Sequence, residues 1–155
     1  MKKILIVSVT AGNNLILAKR INELFEVKTE IIILEDYQLP LYTGKVKLKN
    51  RTMIEDLCGK VIEASGFVFC GPEYNGGSAP ILTNAITWIS VSTDYWRDAF
   101  SDKIGLIATH SGGNGNSFLS TFRQQLEFMG VIVYPRSIKV NKSREFNIES
   151  SNKII

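Results

Sequence analysis

Three polar, glycine-bearing stretches interrupt an otherwise apolar sequence, and their residue types suit the grip of a phosphorylated, flat ligand. The first, Ser8-Val9-Thr10-Ala11-Gly12-Asn13-Asn14, follows the apolar run Ile4–Val7 and precedes a helical pattern that begins at Leu15. Hydroxyls, amides and a glycine ahead of a helix N-terminus form a phosphate cradle in which backbone N–H groups and the helix dipole replace a basic side chain. An ordinary helix cap by Thr10 or Asn13 would account for one of these polar residues and leave the others unexplained. The second stretch, Gly71-Pro72-Glu73-Tyr74-Asn75-Gly76-Gly77-Ser78-Ala79-Pro80, follows Phe67–Cys70. Pro72 fixes the chain, Gly76 and Gly77 allow close backbone approach, and Tyr74 offers a flat face, so the turn suits a planar ring met at its edge by N–H and C=O groups. A plain change of direction explains the glycines but not the acid and the aromatic ring. The third stretch, Thr109-His110-Ser111-Gly112-Gly113-Asn114-Gly115-Asn116, is too rich in glycine to be stiff without a partner.

Other chemistry is absent from the sequence. Neither G-x-x-x-x-G-K-[ST] nor G-x-G-x-x-G follows the first apolar run. Acidic residues for a phosphoacceptor are missing after it. The two cysteines, Cys58 and Cys70, have no metal-ligand spacing, so no metal site and no disulfide is expected. His110, the only histidine, is open to two readings, a proton donor to a bound ligand or a plain loop residue.

Elements must bring the three stretches together. Apolar runs enriched in β-branched residues fall at Ile4–Val7, Ile31–Leu34, Phe67–Cys70, Ile104–Ala108 and Val131–Tyr134, and helical patterns separate them. Leu15, Ala18, Ile21 and Leu24 keep rough 3.6 periodicity, as do Ile54, Leu57, Val61 and Ile62. Pro80 suits a helix first turn, with Ile81, Leu82, Ala85, Ile86 and Ile89 as its apolar stripe, and a fourth helix runs from about Ser117 to Met129. This alternation predicts a three-layer, doubly wound α/β fold with a parallel sheet. Ligands bind such folds beyond the carboxyl ends of the strands, where all three stretches fall.

At 155 residues and 45% hydrophobic content, the chain has the length of one domain, residues 1–155, able to bury roughly 70% of its unfolded surface. No apolar run approaches the ~18 residues that span a bilayer, and no leader opens the chain, so a cytoplasmic protein without a membrane partner is expected. The net charge of +3 sits largely in Lys45–Arg51. With no aromatic residues interleaved, that run reads as a solvated loop rather than a nucleic-acid surface.

Pro72-Glu73-Tyr74-Asn75-Gly76, continued by Leu82-Thr83-Asn84-Ala85-Ile86-Thr87-Trp88-Ile89-Ser90, resembles the signature of the NADPH-dependent FMN reductase family of flavodoxin-like proteins, which includes quinone, azo-dye and chromate reductases. The resemblance covers roughly residues 1 to 140. It implies a five-stranded sheet in the order 2-1-3-4-5. It also implies an FMN whose phosphate lies at Ser8, Thr10, Gly12, Asn13, Asn14 and Leu15. The ring would rest against Pro72, Glu73, Tyr74, Asn75 and Gly76, with Ser111, Gly112 and Gly113 closing the other side. NADPH or NADH would then be the donor, and a quinone, azo compound, metal oxyanion or flavin the acceptor. No catalytic side chain is required, because the flavin carries the redox chemistry. Glu73 reads as a cap of Gly76 or of the following helix in preference to a general acid.

The sequence also departs from the family pattern. Its first loop is shorter than G-S-x-R-x-x-S-x-N, lacks the Arg and looks more like the T/S-x-T-G-N-T loop of flavodoxins. Thr83 and Thr87 stand where the family more often has Lys and Asp, which removes a surface ion pair. After the fifth strand the chain leaves room for only a short C-terminal helix or none, so the sheet face beside the first helix needs a partner chain or a rearranged tail, or stays partly bare. A flavodoxin-like electron carrier is the alternative function, although such carriers are generally acidic and this chain is basic. Trp88 and the segment Ser92–Phe100 point to a homo-oligomer, dimer or tetramer, whose aromatic contact would lie beside the ligand edge; packing of both tryptophans onto the chain's own core is the other reading.

Overall fold

The computed structural model describes residues 3–155, built around one parallel sheet with helices on both faces. β1 (Lys3–Ser8) leads into α1 (Asn13–Asn22), and β2 (Lys28–Ile33) ends in a 3-10 turn, Leu34–Asp36. After a long connection come α2 (Thr52–Glu63) and β3 (Gly66–Cys70). A small hairpin, β4 (Glu73–Tyr74) and β5 (Gly77–Ser78), then opens into α3 (Pro80–Ser92). β6 (Ile104–His110), α4 (Asn116–Phe128), β7 (Ile132–Val133), β8 (Ile138–Val140) and α5 (Ile148–Asn152) complete the chain. Strands run parallel in the order β2-β1-β3-β6, with β7 and β8 both on the outer flank of β6. This is the flavodoxin-like order 2-1-3-4-5 expected from the sequence.

Side chains alternate along the central strands, so each face of the sheet builds its own core. Leu5, Val7, Phe67, Phe69 and Ile107 point toward α2, α3 and α4, where Leu57, Leu82, Ile86, Phe118 and Phe122 meet them. Ile6, Val68, Leu106 and Ala108 point toward α1, against Leu17, Ala18 and Ile21. Leu15 and Ile62, expected in helix stripes, are partly exposed and exposed; Leu17 and Cys58 hold the inward positions instead. The 38–51 connection lies along α3. Trp88 Nε1 and Asn84 Nδ2 both donate to the Pro40 carbonyl, at 2.7 and 3.1 Å, and Trp88 meets Tyr42 edge-on at 5.2 Å. Within Lys45–Arg51, Val46 and Leu48 pack inward while the lysines stay exposed, as a solvated loop requires.

The fifth strand departs from expectation. Instead of one segment over Val131–Tyr134, β7 pairs with Ile104 and Gly105, β8 pairs with Ala108, Thr109 and His110, and the chain bulges between them. Pro135 has no N–H to give to a ladder, which breaks the strand. Arg123 of α4 satisfies the freed carbonyls, donating to Val133 O at 3.3 Å and Tyr134 O at 2.8 Å. The last helix is short, and the tail is rearranged over the α1 face. Phe146 packs into that core beneath the Arg20 guanidinium, 4.5 Å from its ring centre, and Asn147 caps α5 by accepting from Ser150 N at 2.7 Å. Coverage is partial: an apolar groove of 420 Å³ between Phe25, Val27, Leu106, Tyr134 and Ile155 stays open at the amino end of the sheet.

Candidate functional site

The loop between β1 and α1 is held from both sides and bare in the middle. Ser8 is buried, and its Oγ donates to Thr10 O at 2.7 Å, which bends the loop back on itself. Val9 N donates to Cys70 O at 2.9 Å, seating the loop beside β3. Asn14 is buried too, and its side chain clamps a distant backbone: Nδ2 donates to His110 O at 3.0 Å and Oδ1 accepts from His110 N at 2.9 Å. The amide of Asn14 is therefore a structural tie, and what it can offer a ligand is its own backbone N–H. Leu15 offers no free donor, since its N–H goes to Gly12 O at 3.0 Å. Between these ties Gly12 is the N-cap of α1 with no side-chain hydrogen bond, so neither Thr10 nor Asn13 caps the helix. The N–H groups of Gly12, Asn13 and Asn14 lie in the turn where helix donors lack partners.

Pro72 to Ser78 folds as a tight hairpin. Asn75 and Gly76 both take positive φ, 49° and 73°, which is the two-residue turn that Asn-Gly favours between twisted strands. The turn leaves Tyr74 49% exposed. Glu73 anchors the hairpin at both its ends: its N–H donates to Ser111 Oγ at 2.9 Å, and its Oε2 accepts from Phe118 N at 2.9 Å in the first turn of α4. Its carboxylate thus caps a helix, but α4 rather than the helix next in sequence, and not Gly76. Ser111 is buried and shares a 2.7 Å hydrogen bond with Thr109. Gly115 must be glycine, with φ of 66° and a Cβ position only 2.6 Å from Thr109 Cγ2. Cys70, at the foot of the hairpin, is fully buried, and burial pushes its thiol up, so it is no nucleophile.

All three stretches therefore meet at the carboxyl edge of the sheet. A side chain added at Gly12, Gly112 or Gly113 would meet no atom of the described residues within 4 Å, and none of the three has positive φ. Packing does not call for glycine there, whereas a ligand lying against bare backbone does. One acid enters the site that the sequence did not signal. Glu35, in the 3-10 turn that follows β2, accepts from Ala11 N at 2.6 Å, in the middle of the first loop. The exposed aromatic segment, by contrast, is at the other end of the molecule. Trp96 packs 5.6 Å from Phe128 at the C-terminus of α4, whose N-terminus is the one Glu73 caps, about 20 Å away along the helix. The expectation that these aromatics shield the ligand edge is overturned by the direction of α4. Trp88 is buried in the core, 4% exposed, and takes no part in a surface.

The sequence model described as NADPH-dependent FMN reductase matches residues 1–145. The chain belongs to that family. No curated protein sequence matches the chain. Among solved structures it is similar to the flavoenzyme NAD(P)H:(acceptor) oxidoreductase FerB from Paracoccus denitrificans, with a TM-score of 0.75, 17% identity, and coverage of 98% of this chain and 85% of that one. An oxidoreductase from Corynebacterium diphtheriae aligns with a TM-score of 0.79 and 16% identity over 99% of this chain and 90% of that one. A flavodoxin from the domain Archaea gives 0.65 and 15% over 99% and 93%. These likenesses show the flavodoxin-like fold; the family match brings the oxidoreductase class, FMN as cofactor and NAD(P)H as electron donor. The described residues fit that cofactor. An uncapped helix N-terminus answers its phosphate, and the bare glycines with the exposed Tyr74 leave room for its flat ring. Among the described residues no helix is long and apolar enough to cross a membrane, and no group of metal ligands is present.

Proposed function

We propose that this FMN reductase family member passes electrons from NAD(P)H to a small oxidant such as a quinone, azo compound, metal oxyanion or free flavin. FerB is described as an NAD(P)H:(acceptor) oxidoreductase, which supports an unselective acceptor side. The carrying observation is the convergence of the open α1 N-terminus, the Pro72–Gly76 hairpin and the Gly112–Gly113 loop, locked by the Asn14–His110 and Glu73–Ser111 bonds. When bound, FMN supplies the hydride acceptor, so the protein contributes binding, orientation and electrostatics rather than a nucleophile or base. In this reading the N–H groups of Gly12, Asn13 and Asn14, with the Thr10 hydroxyl, hold the phosphate. Tyr74 and the backbone of Asn75 and Gly76 meet the ring on one side, and Ser111, Gly112 and Gly113 border it on the other.

We place the protein in the cytoplasm as a homo-oligomer with no nucleic-acid or membrane partner. Tyr95 and Phe128 are 53% and 67% exposed, Arg97 lies 4.3 Å over the Trp96 ring, and the buried Arg97 Nε has no hydrogen-bond partner among the described residues. Such a cluster suits a second chain that brings an acceptor to Arg97.

Anaerobic titration of the FMN-loaded protein with NADPH tests the function: the oxidised-flavin absorbance disappears, and a quinone restores it over many turnovers. A flavin that stays oxidised with excess NADPH and NADH would overturn the enzymatic reading.

A further inference from the structure

Beyond the third loop, on the flank of β6 occupied by β8, lies a polar cavity of 220 Å³. Asn114, Asn116, Lys139, Asn141 and Arg144 line it, and no carboxylate does. Neither Lys139 nor Arg144 forms an ion pair among the described residues. The Lys139 ammonium is held in place, and the Arg144 backbone is fixed in a turn at the rim with its guanidinium exposed. Lys139 Nζ donates to Asn116 Oδ1 at 2.9 Å. Arg144 closes a tight turn in which Asn141 N donates to its carbonyl at 2.9 Å and its N–H donates to Asn141 O at 3.2 Å. Asn141 Nδ2 donates to Gly113 O at 3.1 Å, which joins this turn to the loop expected to border the ring. Two cations and side-chain amides with no acid make a receptor for a dianion, the guanidinium supplying a planar fork and the ammonium a point charge.

We propose that this cavity takes the 2′-phosphate of NADPH and makes the enzyme prefer NADPH to NADH, an inference that rests on the function proposed above. The two donors differ only in that phosphate monoester. At 220 Å³ the cavity is smaller than the roughly 300 Å³ at which sites for whole small molecules begin, so it suits the end of a ligand whose body lies elsewhere. Asn114 in its wall directly follows the Gly112–Gly113 loop, and Asn141 is tied to Gly113, so a ligand leaving the ring along that loop would bring its phosphate to Lys139 and Arg144.

The test uses the FMN-loaded protein and its Lys139→Gln, Arg144→Gln and double variants. KM is expected to favour NADPH over NADH by about tenfold or more in the native protein. The double variant should lose that preference while FMN affinity and the NADH parameters stay unchanged. Equal KM values in the native protein, or a preference that survives the double variant, would overturn the proposal. Calorimetric titration with adenosine 2′,5′-bisphosphate and with 5′-AMP gives a readout independent of turnover, and the bisphosphate should bind about tenfold tighter or more. Equal binding of the two would refute the assignment, and inorganic phosphate binding as tightly as the bisphosphate would reassign the cavity to free anions. If neither donor reduced the flavin, the proposed function would fail while this titration still decided the cavity.

Discussion

Glu35 shows how one residue can set the strength of a binding loop. Its carboxylate holds Ala11 N at 2.6 Å, so an arriving phosphate meets a negative charge already seated on a loop donor. Like charges that close cost affinity, most strongly at low salt. Glu35→Gln should therefore raise FMN affinity by about tenfold at low ionic strength, leave riboflavin affinity unchanged, and lose its advantage as salt is added. A fall in FMN affinity, measured by quenching of flavin fluorescence, would mean that Glu35 braces the loop instead. Nothing in the sequence signalled Glu35, because its contact spans the turn after β2 and depends on where β2 sits beside β1. The same is true of Asn14: its residue type suggested a ligand, and only the packing of α1 against the end of β6 shows its amide committed to His110. Gly12, Gly112 and Gly113 were legible as bare backbone, since no other residue type leaves that space.

At the scale of elements, the site is as firm as the bonds between its loops, and Glu73 carries two of them. Replacing it with Ala removes the acceptor at Phe118 N, a cap whose loss typically costs about 1 kcal/mol. Glu73→Ala should lower the urea midpoint, and Glu73→Gln, which keeps an acceptor oxygen, should recover most of the loss together with full NADPH turnover. Low turnover in a Gln variant of native stability would instead make Glu73 a general acid. A second element-level device lies at the opposite end of the sheet, where Lys103 Nζ donates to Val61 O and Ile62 O at 2.7 and 2.8 Å, closing the C-terminus of α2. Burial brings its pKa down from 10.5 to about 8. The unfolded chain then binds the extra proton between those values, so the cost of burying the charge, complete below about pH 8, is relieved as pH rises toward 10.5. Relative to Lys103→Met, the native protein should gain stability across that window in urea titrations, and a difference that stayed flat or shrank would contradict the shift. The central strands and four helices were legible because burial on two faces gives unbroken apolar runs. The split of the fifth strand was not, since Pro135 breaks a ladder that only Arg123, folded back from α4, makes tolerable. Asn75-Gly76 did carry the hairpin signal, hidden inside a stretch that also reads as a ligand turn.

For the whole molecule, the direction of α4 separates two surfaces that the sequence had placed together. The aromatic cluster of Tyr95, Trp96 and Phe128 lies at the amino end of the sheet and the ligand loops at the carboxyl end, so association there need not touch the flavin. Light scattering at micromolar concentration should give a mass above 17.3 kDa that Trp96→Glu reduces, with FMN affinity unchanged. A mass of 17.3 kDa at every concentration would return the cluster to a monomer surface. The short α5 and Phe146 explain how so brief a tail still covers much of the α1 face. The account rests on one claim, that the open N-terminus of α1 grips a phosphate whose flavin ring lies against the hairpin and the Gly112–Gly113 loop. Fluorescence titration of the flavin-free protein with FMN and with riboflavin tests it most directly. FMN should bind at least about tenfold more tightly, the margin a phosphate held by several N–H donors provides, and equal affinities for the two flavins would contradict the claim.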